Sequence, residues 1–351
     1  MAKFPESLSS IQLALASKRF SLNELVMHYI EQINANKELN AFNHLFETSA
    51  LDQAAQIQEK IYSGNAGKLA GLVIGIKDNI AYKDHPLTAS SKILKDFRSV
   101  YNSSVVDRLL SEDAIIIGSL NCDEFAMGST NETSYFGPVS NPLDKTRVPG
   151  GSSGGSAVAV AQGLCLATLG TDTGGSVRQP AAYCGVIGLK PSYGRISRYG
   201  IIAYASSFDQ VGILSRNIED CCSILSVISG KDENDATCST TPVPDYNKCL
   251  NTKQIYKVAF LKDCIEHEKV DPEITNAFKG LKSVLSENRH HVNDTTFEFT
   301  DFLVPSYYIL TTAEASSNLA RYDGIHYGHR SKNAKDLEST YTLSRSEGFG
   351  E

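Results

Sequence analysis

The chain has 351 residues, of which 41% are hydrophobic and 21% are charged, and its formal net charge is −7. This composition is typical of a globular protein with one large or two smaller domains, and it excludes a disordered chain. The acidic balance argues against nucleic-acid binding through a basic surface of its own. No apolar run approaches the ~20 residues of a membrane helix, and the N-terminus lacks the apolar run of a secretory signal. We therefore expect a soluble protein without membrane contact.

The predicted elements begin with two helices and a strand. Ser21 and Glu24 have the spacing of a capping box at the start of a helix. A second helix is predicted over Glu47–Tyr62, and the apolar run Leu69–Ile76 predicts a buried strand. Further along, the patterns predict a helix over Val105–Leu110, strands over Ala114–Ser119 and Lys257–Leu261, a helix over Pro272–Ser286 and a strand near His291–Phe299. This alternation predicts an α/β fold with a mixed, largely parallel central sheet covered by helices, after an N-terminal helical segment.

Residues 150–200 contain twelve of the 26 glycines of the chain. Gly/Ser clusters alternate there with apolar runs, in the order GGSSGGS, AVAVAQG, LCLATLG and TDTGGS. A flexible linker would not contain these apolar residues, so the pattern predicts tightly packed backbone and loops that approach a ligand closely. GGSSGGS lacks the Lys-Ser/Thr end of a phosphate-binding loop, which argues against nucleotide binding.

The eight cysteines and eight histidines form no metal-binding or disulfide pattern. No two cysteines have C-x-x-C spacing, and several lie inside apolar runs, where a free cysteine packs as a small hydrophobic residue. We expect reduced thiols, as in a cytoplasmic protein, with no metal site and no cofactor bound by this chain.

Three positions have the residue types that acyl transfer requires: Lys77, the Ser152-Ser153 pair and Ser176. A serine hydroxyl needs a base to accept its proton, and the glycine-rich region contains no histidine. A buried lysine can serve as that base because burial disfavours its charged form. The alternative is structural: a solvated surface lysine, and serines that bond their own backbone in turns.

An oxyanion needs preorganised donors, and backbone N–H groups in a glycine-rich turn supply them. Thr173, Gly174 and Gly175 have a suitable composition and lie between a predicted strand and a predicted helix. We expect Arg178, shortly after this turn, to have a structural role, bonding carbonyl groups or a buried carboxylate such as Asp172.

The segments PGGSSGGSAVAVAQG and LGTDTGGSVRQPAAYCGVIGLKPSYGRIS resemble the amidase signature family. The resemblance implies an α/β fold that carries a Ser–cis-Ser–Lys triad. Matched by motif position, Ser176 is the nucleophile that forms the acyl-enzyme. Ser152 is the bridging serine, with a cis peptide bond before it, and Lys77, in GIKDNI, is the general base.

Three further segments are similar to the branch of that family found in tRNA-dependent amidotransferases: DEFAMGSTNETSYFGPVSNP, GRISRYGIIAYASSFDQVGILSR and AEASSNLARYDGIHYG. This resemblance implies a glutaminase subunit that assembles with subunits B and C in a heterotrimer. The partner would use the ammonia, with ATP and Mg, to convert Glu-tRNA(Gln) to Gln-tRNA(Gln), and it would make most contacts with the tRNA. Tyr307, in PSYYIL, matches a tyrosine that contacts glutamine in this branch, with core packing as its alternative role.

The resemblance implies one amidase-type domain over residues 1–351. It comprises an N-terminal helical segment (residues 1–65), a signature core with the catalytic loops (residues 66–230) and a C-terminal segment (residues 231–351). Relatives continue past residue 351, so we expect this last segment to be incomplete, with the family's residues for the glutamine α-carboxylate and α-amine outside the sequence. Two alternatives are a stand-alone amidase acting on small or fatty amides, and a non-catalytic assembly subunit.

Overall fold

The computed structural model describes residues 4–250 and 253–350 and divides them into two compact units. The first unit extends to Asn247 and resumes at Glu314, and the second lies within Lys248–Ala313. The helices are α1 (Leu8–Ala16), α2 (Leu22–Ala35), α3 (Glu47–Ser63), α4 (Ser104–Ser111), α5 (Gly154–Ala161), α6 (Arg178–Tyr183), α7 (Ile218–Ile228), α8 (Lys262–Ile265), α9 (Pro272–Glu287), α10 (Thr300–Leu319) and α11 (Leu337–Gly348). The strands are β1 (Phe42–Leu45), β2 (Val73–Lys77), β3 (Ile115–Leu120), β4 (Ala167–Asp172), β5 (Ile187–Leu189), β6 (Gln210–Ser215), β7 (Lys257–Leu261) and β8 (His291–Thr295).

The first unit is built on a six-stranded sheet in the order β1-β3-β2-β4-β6-β5. β2 pairs in parallel with β3 and with β4 at the middle of the sheet, and the other neighbours are antiparallel. β2, β3 and β4 are buried along their whole length, as expected of apolar strands that are covered on both faces. The predicted α/β fold with a mixed central sheet covered by helices is confirmed.

The N-terminal helices follow the predicted capping pattern. The Ser21 hydroxyl accepts a hydrogen bond from the Glu24 N–H, and the Glu24 carboxylate accepts one from the Ser21 N–H, which satisfies two donors at the start of α2. The apolar faces of α2 and α3 are buried in the main core. β1 lies between these helices and pairs with β3 at the edge of the sheet, so the predicted N-terminal segment is not wholly helical.

The second unit contains a two-stranded parallel sheet of β7 and β8 together with α8, α9 and most of α10. α9 begins at Pro272, and the carboxylate of Asp271 accepts a hydrogen bond from the Glu273 N–H at its first turn. The predicted strand, helix and strand of this region are confirmed, although β8 ends before the predicted boundary. This unit falls within the predicted C-terminal segment, residues 231–351.

Within the described ranges, none of the helices combines the length and the apolar character that crossing a bilayer requires.

Two neighbouring strands of the first unit bring the candidate residues together. β2 ends at Lys77, and its parallel neighbour β4 ends at Asp172. Because parallel strands have their carboxyl ends at the same edge of a sheet, the loops that follow them meet there.

Candidate active site

Lys77 is the last residue of the central strand β2, and its side chain is fully buried. Its Nζ lies 2.7 Å from Ser152 Oγ and 3.0 Å from Thr171 Oγ1. Burial lowers the pKa of the Lys77 amine below its ordinary value, against the opposing effect of neighbouring acidic groups that include Asp123 and Asp172. Desolvation thus favours the neutral amine that a general base requires.

Ser152 and Ser153 lie in the turn before α5, and both are fully buried. The peptide bond between Gly151 and Ser152 is cis, as the family resemblance implies. The backbone at Gly151 packs against Asp123, because a Cβ added to this glycine would lie 2.2 Å from Asp123 Oδ2. The Asp123 N–H also donates to the Ser152 carbonyl at 3.2 Å. Asp123 therefore supports the backbone that presents Ser152 to Lys77.

Ser176 lies in the loop between β4 and α6 and is half-buried. Its carbonyl accepts a hydrogen bond from the Ser153 N–H at 3.1 Å, which joins the two serine-containing loops. Among the described residues, no side-chain hydrogen bond links Ser176 to Ser152. The structure thus brings Lys77 and Ser152 into contact and places Ser176 on the adjoining loop, while the second step of the predicted proton relay stays a prediction.

Asp172 and Arg178 hold the two ends of the Ser176 loop together. The Asp172 carboxylate is buried, and it accepts hydrogen bonds from the N–H groups of Gly175 at 2.9 Å and Val177 at 3.0 Å. Arg178 donates to both of its oxygens, through Nε at 3.1 Å and Nη2 at 2.9 Å. Burial acts to raise the pKa of Asp172, but the Arg178 side chain and the backbone donors outweigh it and hold this pKa below its usual value. The expected structural role of Arg178 is confirmed.

The predicted oxyanion-binding turn differs from the prediction at one residue. Because the Gly175 N–H already donates to Asp172, Gly175 does not offer a free donor in this structure. Within residues 4–250 and 253–350, the N–H groups of Thr173 and Gly174 have no protein acceptor. The Thr173 hydroxyl donates to Asp209 Oδ1 at 2.5 Å. An oxyanion-binding role for this turn stays a prediction, with Thr173 and Gly174 as its available amides.

Tyr307 lies on α10 in the second unit, where it is half-buried and its carbonyl accepts a hydrogen bond from the Thr311 hydroxyl. The two units are described separately, so a role for Tyr307 in glutamine binding stays a prediction.

Two residues beside Lys77 were not singled out from the sequence. Thr171, near the end of β4, contacts Lys77 through its hydroxyl, and Asn79 Nδ2 donates to the same Thr171 oxygen at 3.1 Å. Asn79 also donates to the Ile202 carbonyl at 3.3 Å, which orients its amide. Both lie directly beside recognised motifs, GIKDN and GTDTGG, but only the pairing of β2 with β4 brings them together.

Across the described residues, no three His, Cys, Asp or Glu side chains are grouped in a way that could hold a metal ion. The expectations of no metal site and no cofactor for this chain stay predictions.

The fold and this site define a class of protein. The family model described as Amidase matches residues 24–351, so the chain belongs to the amidase family. It is similar to the A subunit of glutamyl-tRNA(Gln) amidotransferase from Chlorobium limicola, with 47% identity over 98% of this chain and 73% of the relative.

Solved structures agree with this assignment. The A subunit of the Thermotoga maritima glutamyl-tRNA(Gln) amidotransferase is 33% identical, with a TM-score of 0.74 over 93% of this chain and 69% of that one. The peptide amidase from Stenotrophomonas maltophilia is 26% identical, with a TM-score of 0.83 over 97% of this chain and 71% of that one. The greater sequence identity is with the amidotransferase subunits, although the fold is shared with an amidase of another name.

Proposed function

We propose that this chain is the glutamine-hydrolysing subunit of a tRNA-dependent amidotransferase. The observation that carries the proposal is the buried hydrogen bond between Lys77 and Ser152, beside a half-buried Ser176, in a chain 47% identical to subunits of that name. A neutral lysine next to a serine relay is suited to activating a second serine for attack on an amide.

In the proposed reaction, Ser176 Oγ attacks the side-chain amide carbon of glutamine and forms an ester. The Ser176 proton passes to Ser152, and the Ser152 proton passes to Lys77. As the carbon–nitrogen bond breaks, a proton returned through Ser152 leaves with the nitrogen as ammonia. Water then attacks the ester by the same relay, which releases glutamate and restores the Ser176 hydroxyl.

The proposed partners are subunits B and C of the same heterotrimer. The partner subunit would bind Glu-tRNA(Gln), ATP and Mg and would use the ammonia to form Gln-tRNA(Gln). This division agrees with the net charge of −7 on this chain, because a strongly acidic balance is unsuited to holding tRNA phosphates alone. Tyr307 is the proposed contact for the substrate glutamine.

The test measures ammonia release from glutamine and amidation of Glu-tRNA(Gln) by this chain together with its partner subunits. The Ser176→Ala variant should abolish ammonia release and leave amidation from added ammonium largely intact. Ser192→Ala, at an exposed serine, is the matched control and should retain both activities.

Two results would contradict the proposal. Loss of both activities in Ser176→Ala would remove the assigned role of this serine. Rapid hydrolysis of simple amides by the chain alone, unaffected by partner subunits or tRNA, would instead support a stand-alone amidase.

A further inference from the structure

The nucleophile loop has a contact from outside the triad at the point where it leaves β4. β4 and β6 pair in antiparallel register up to Asp172 opposite Gln210. Thr173 and Asp209 are the next residues of these two strands, and they meet through the 2.5 Å hydrogen bond from the Thr173 hydroxyl to Asp209 Oδ1. Asp209 is only 4% exposed, so this bond is protected from competition with water.

The Asp209 carboxylate is itself held firmly. Its Oδ2 accepts hydrogen bonds from the N–H groups of Tyr204 at 2.9 Å and Ala205 at 3.1 Å. The turn that contains these amides closes through a bond from the Asp209 N–H to the Ala205 carbonyl at 2.9 Å. Asn318 Nδ2, on the stretch of α10 in the first unit, donates to the Tyr204 carbonyl at 3.2 Å. Thr173 is therefore anchored to a fixed acceptor, not to a mobile side chain.

This anchor acts on the two amides that are available in the turn. Asp172 already binds the Gly175 N–H, whereas the N–H groups of Thr173 and Gly174 have no acceptor among the described residues. Fixing the Thr173 side chain restricts rotation about the backbone bonds on either side of it, and those bonds set the directions of both N–H groups. Donors that are already oriented need no reorganisation when charge develops on the substrate oxygen.

We propose that Asp209 is a positioning residue for the reaction, which fixes the Thr173 and Gly174 amides as oxyanion donors through its hydrogen bond to the Thr173 hydroxyl. This inference rests on the proposed function, because it assumes that Ser176 attacks a carbonyl group beside this turn.

The test compares Thr173→Val, which keeps the shape of the side chain without the hydroxyl, with Thr173→Ser, which keeps the hydroxyl. In the full chain with its partner subunits, Thr173→Val should lower the kcat for glutamine about tenfold and leave KM within about threefold, because oriented donors act mainly in the transition state. Thr173→Ser should retain most of the activity. A role in folding alone would not divide the two variants in kcat at equal thermal stability.

A double-mutant cycle links the effect to Asp209. Asp209→Ala should lower kcat in the wild-type background and should add little to Thr173→Val, because both changes remove the same hydrogen bond. Wild-type kcat in Thr173→Val, equal losses in Thr173→Val and Thr173→Ser, or full additivity with Asp209→Ala would each overturn the proposal.

A second measurement separates this inference from the proposed function. The rate at which a sulfonyl fluoride labels Ser176, followed by mass spectrometry, requires no turnover of glutamine and should also fall about tenfold in Thr173→Val. A wild-type chain that is labelled at Ser176 but releases no ammonia from glutamine would contradict the proposed function alone. An unchanged labelling rate in Thr173→Val would contradict the positioning role, and no labelling of Ser176 in any variant would overturn both.

Discussion

Lys77 Nζ and Ser152 Oγ form a 2.7 Å hydrogen bond between two side chains that are both fully buried. The two residues are 75 positions apart in the chain. They meet because β2 ends in the middle of the sheet, directly beside β4, whose last residues contact both Lys77 and the Ser153 hydroxyl. A lysine in this position has no access to water and has a hydroxyl as its nearest partner, which favours a neutral amine.

Replacing Lys77 by Met should lower kcat for glutamine hydrolysis by about 10²- to 10⁴-fold, the usual range for loss of a general base. Met has a similar length but no basic atom, so the relay from Ser152 would end without an acceptor. Steady-state ammonia release measures the effect. Lys68→Met, at a lysine whose side chain is 80% exposed, is the control and should keep wild-type activity. A Lys77→Met variant with full activity would contradict the relay.

The same lysine predicts a specific dependence of stability on pH. Burial lowers its pKa in the folded chain, whereas the unfolded chain has the ordinary value of 10.5. Between these two values the unfolded state binds one proton more, so the contribution of Lys77 to the free energy of unfolding rises with pH by up to about 1.4 kcal/mol per unit. Below the lowered pKa and above 10.5, this contribution does not change with pH.

Urea unfolding of the wild type and of Lys77→Met at several pH values between 7 and 10.5 checks this dependence. The variant should be the more stable of the two at the lower end, and the difference should shrink as the pH rises. Parallel curves throughout that range would show that Lys77 titrates as an ordinary lysine in the folded chain.

Replacing Arg178 by Ala should lower the free energy of unfolding by about 1–2 kcal/mol. The change removes two donors from the buried Asp172 carboxylate, but the Arg178 side chain is 53% exposed, so water replaces part of the loss. Asp172→Ala should cost more, because the Gly175 and Val177 N–H groups also lose their acceptor. Chemical denaturation of both variants measures this order, and the reverse order would contradict the assigned contacts.

Gly151→Ala should destabilise the protein strongly, by more than about 2 kcal/mol. The added Cβ would lie 2.2 Å from Asp123 Oδ2 and 2.8 Å from the Thr130 backbone nitrogen, and neither group is free to move, because Asp123 is fully buried and hydrogen-bonded to the Asn131 N–H. Gly280→Ala is the control: this helical glycine has open space around its Cβ position, so the change should be neutral or stabilising by up to about 1 kcal/mol. Equal melting temperatures for the two variants would contradict this packing.

The sequence alone predicted much of the local structure, because helices and strands depend on patterns that lie close together in the chain. The capping box at Ser21 and Glu24 and the apolar strand before Lys77 were identified from such patterns. The exception is β1, which is too short and too evenly half-buried to produce an alternating signal, and which is a strand only because β3 offers it an edge.

The residue types of the candidate site could also be read from the motifs around Lys77, Ser152 and Ser176. What only the tertiary structure decided was which atoms meet. The contacts of Thr171 with Lys77 and of Thr173 with Asp209 depend on the register between strands that are far apart in the chain. The same is true of the burial that lowers the lysine pKa, because desolvation is produced by the whole packed sheet and not by any neighbour in sequence.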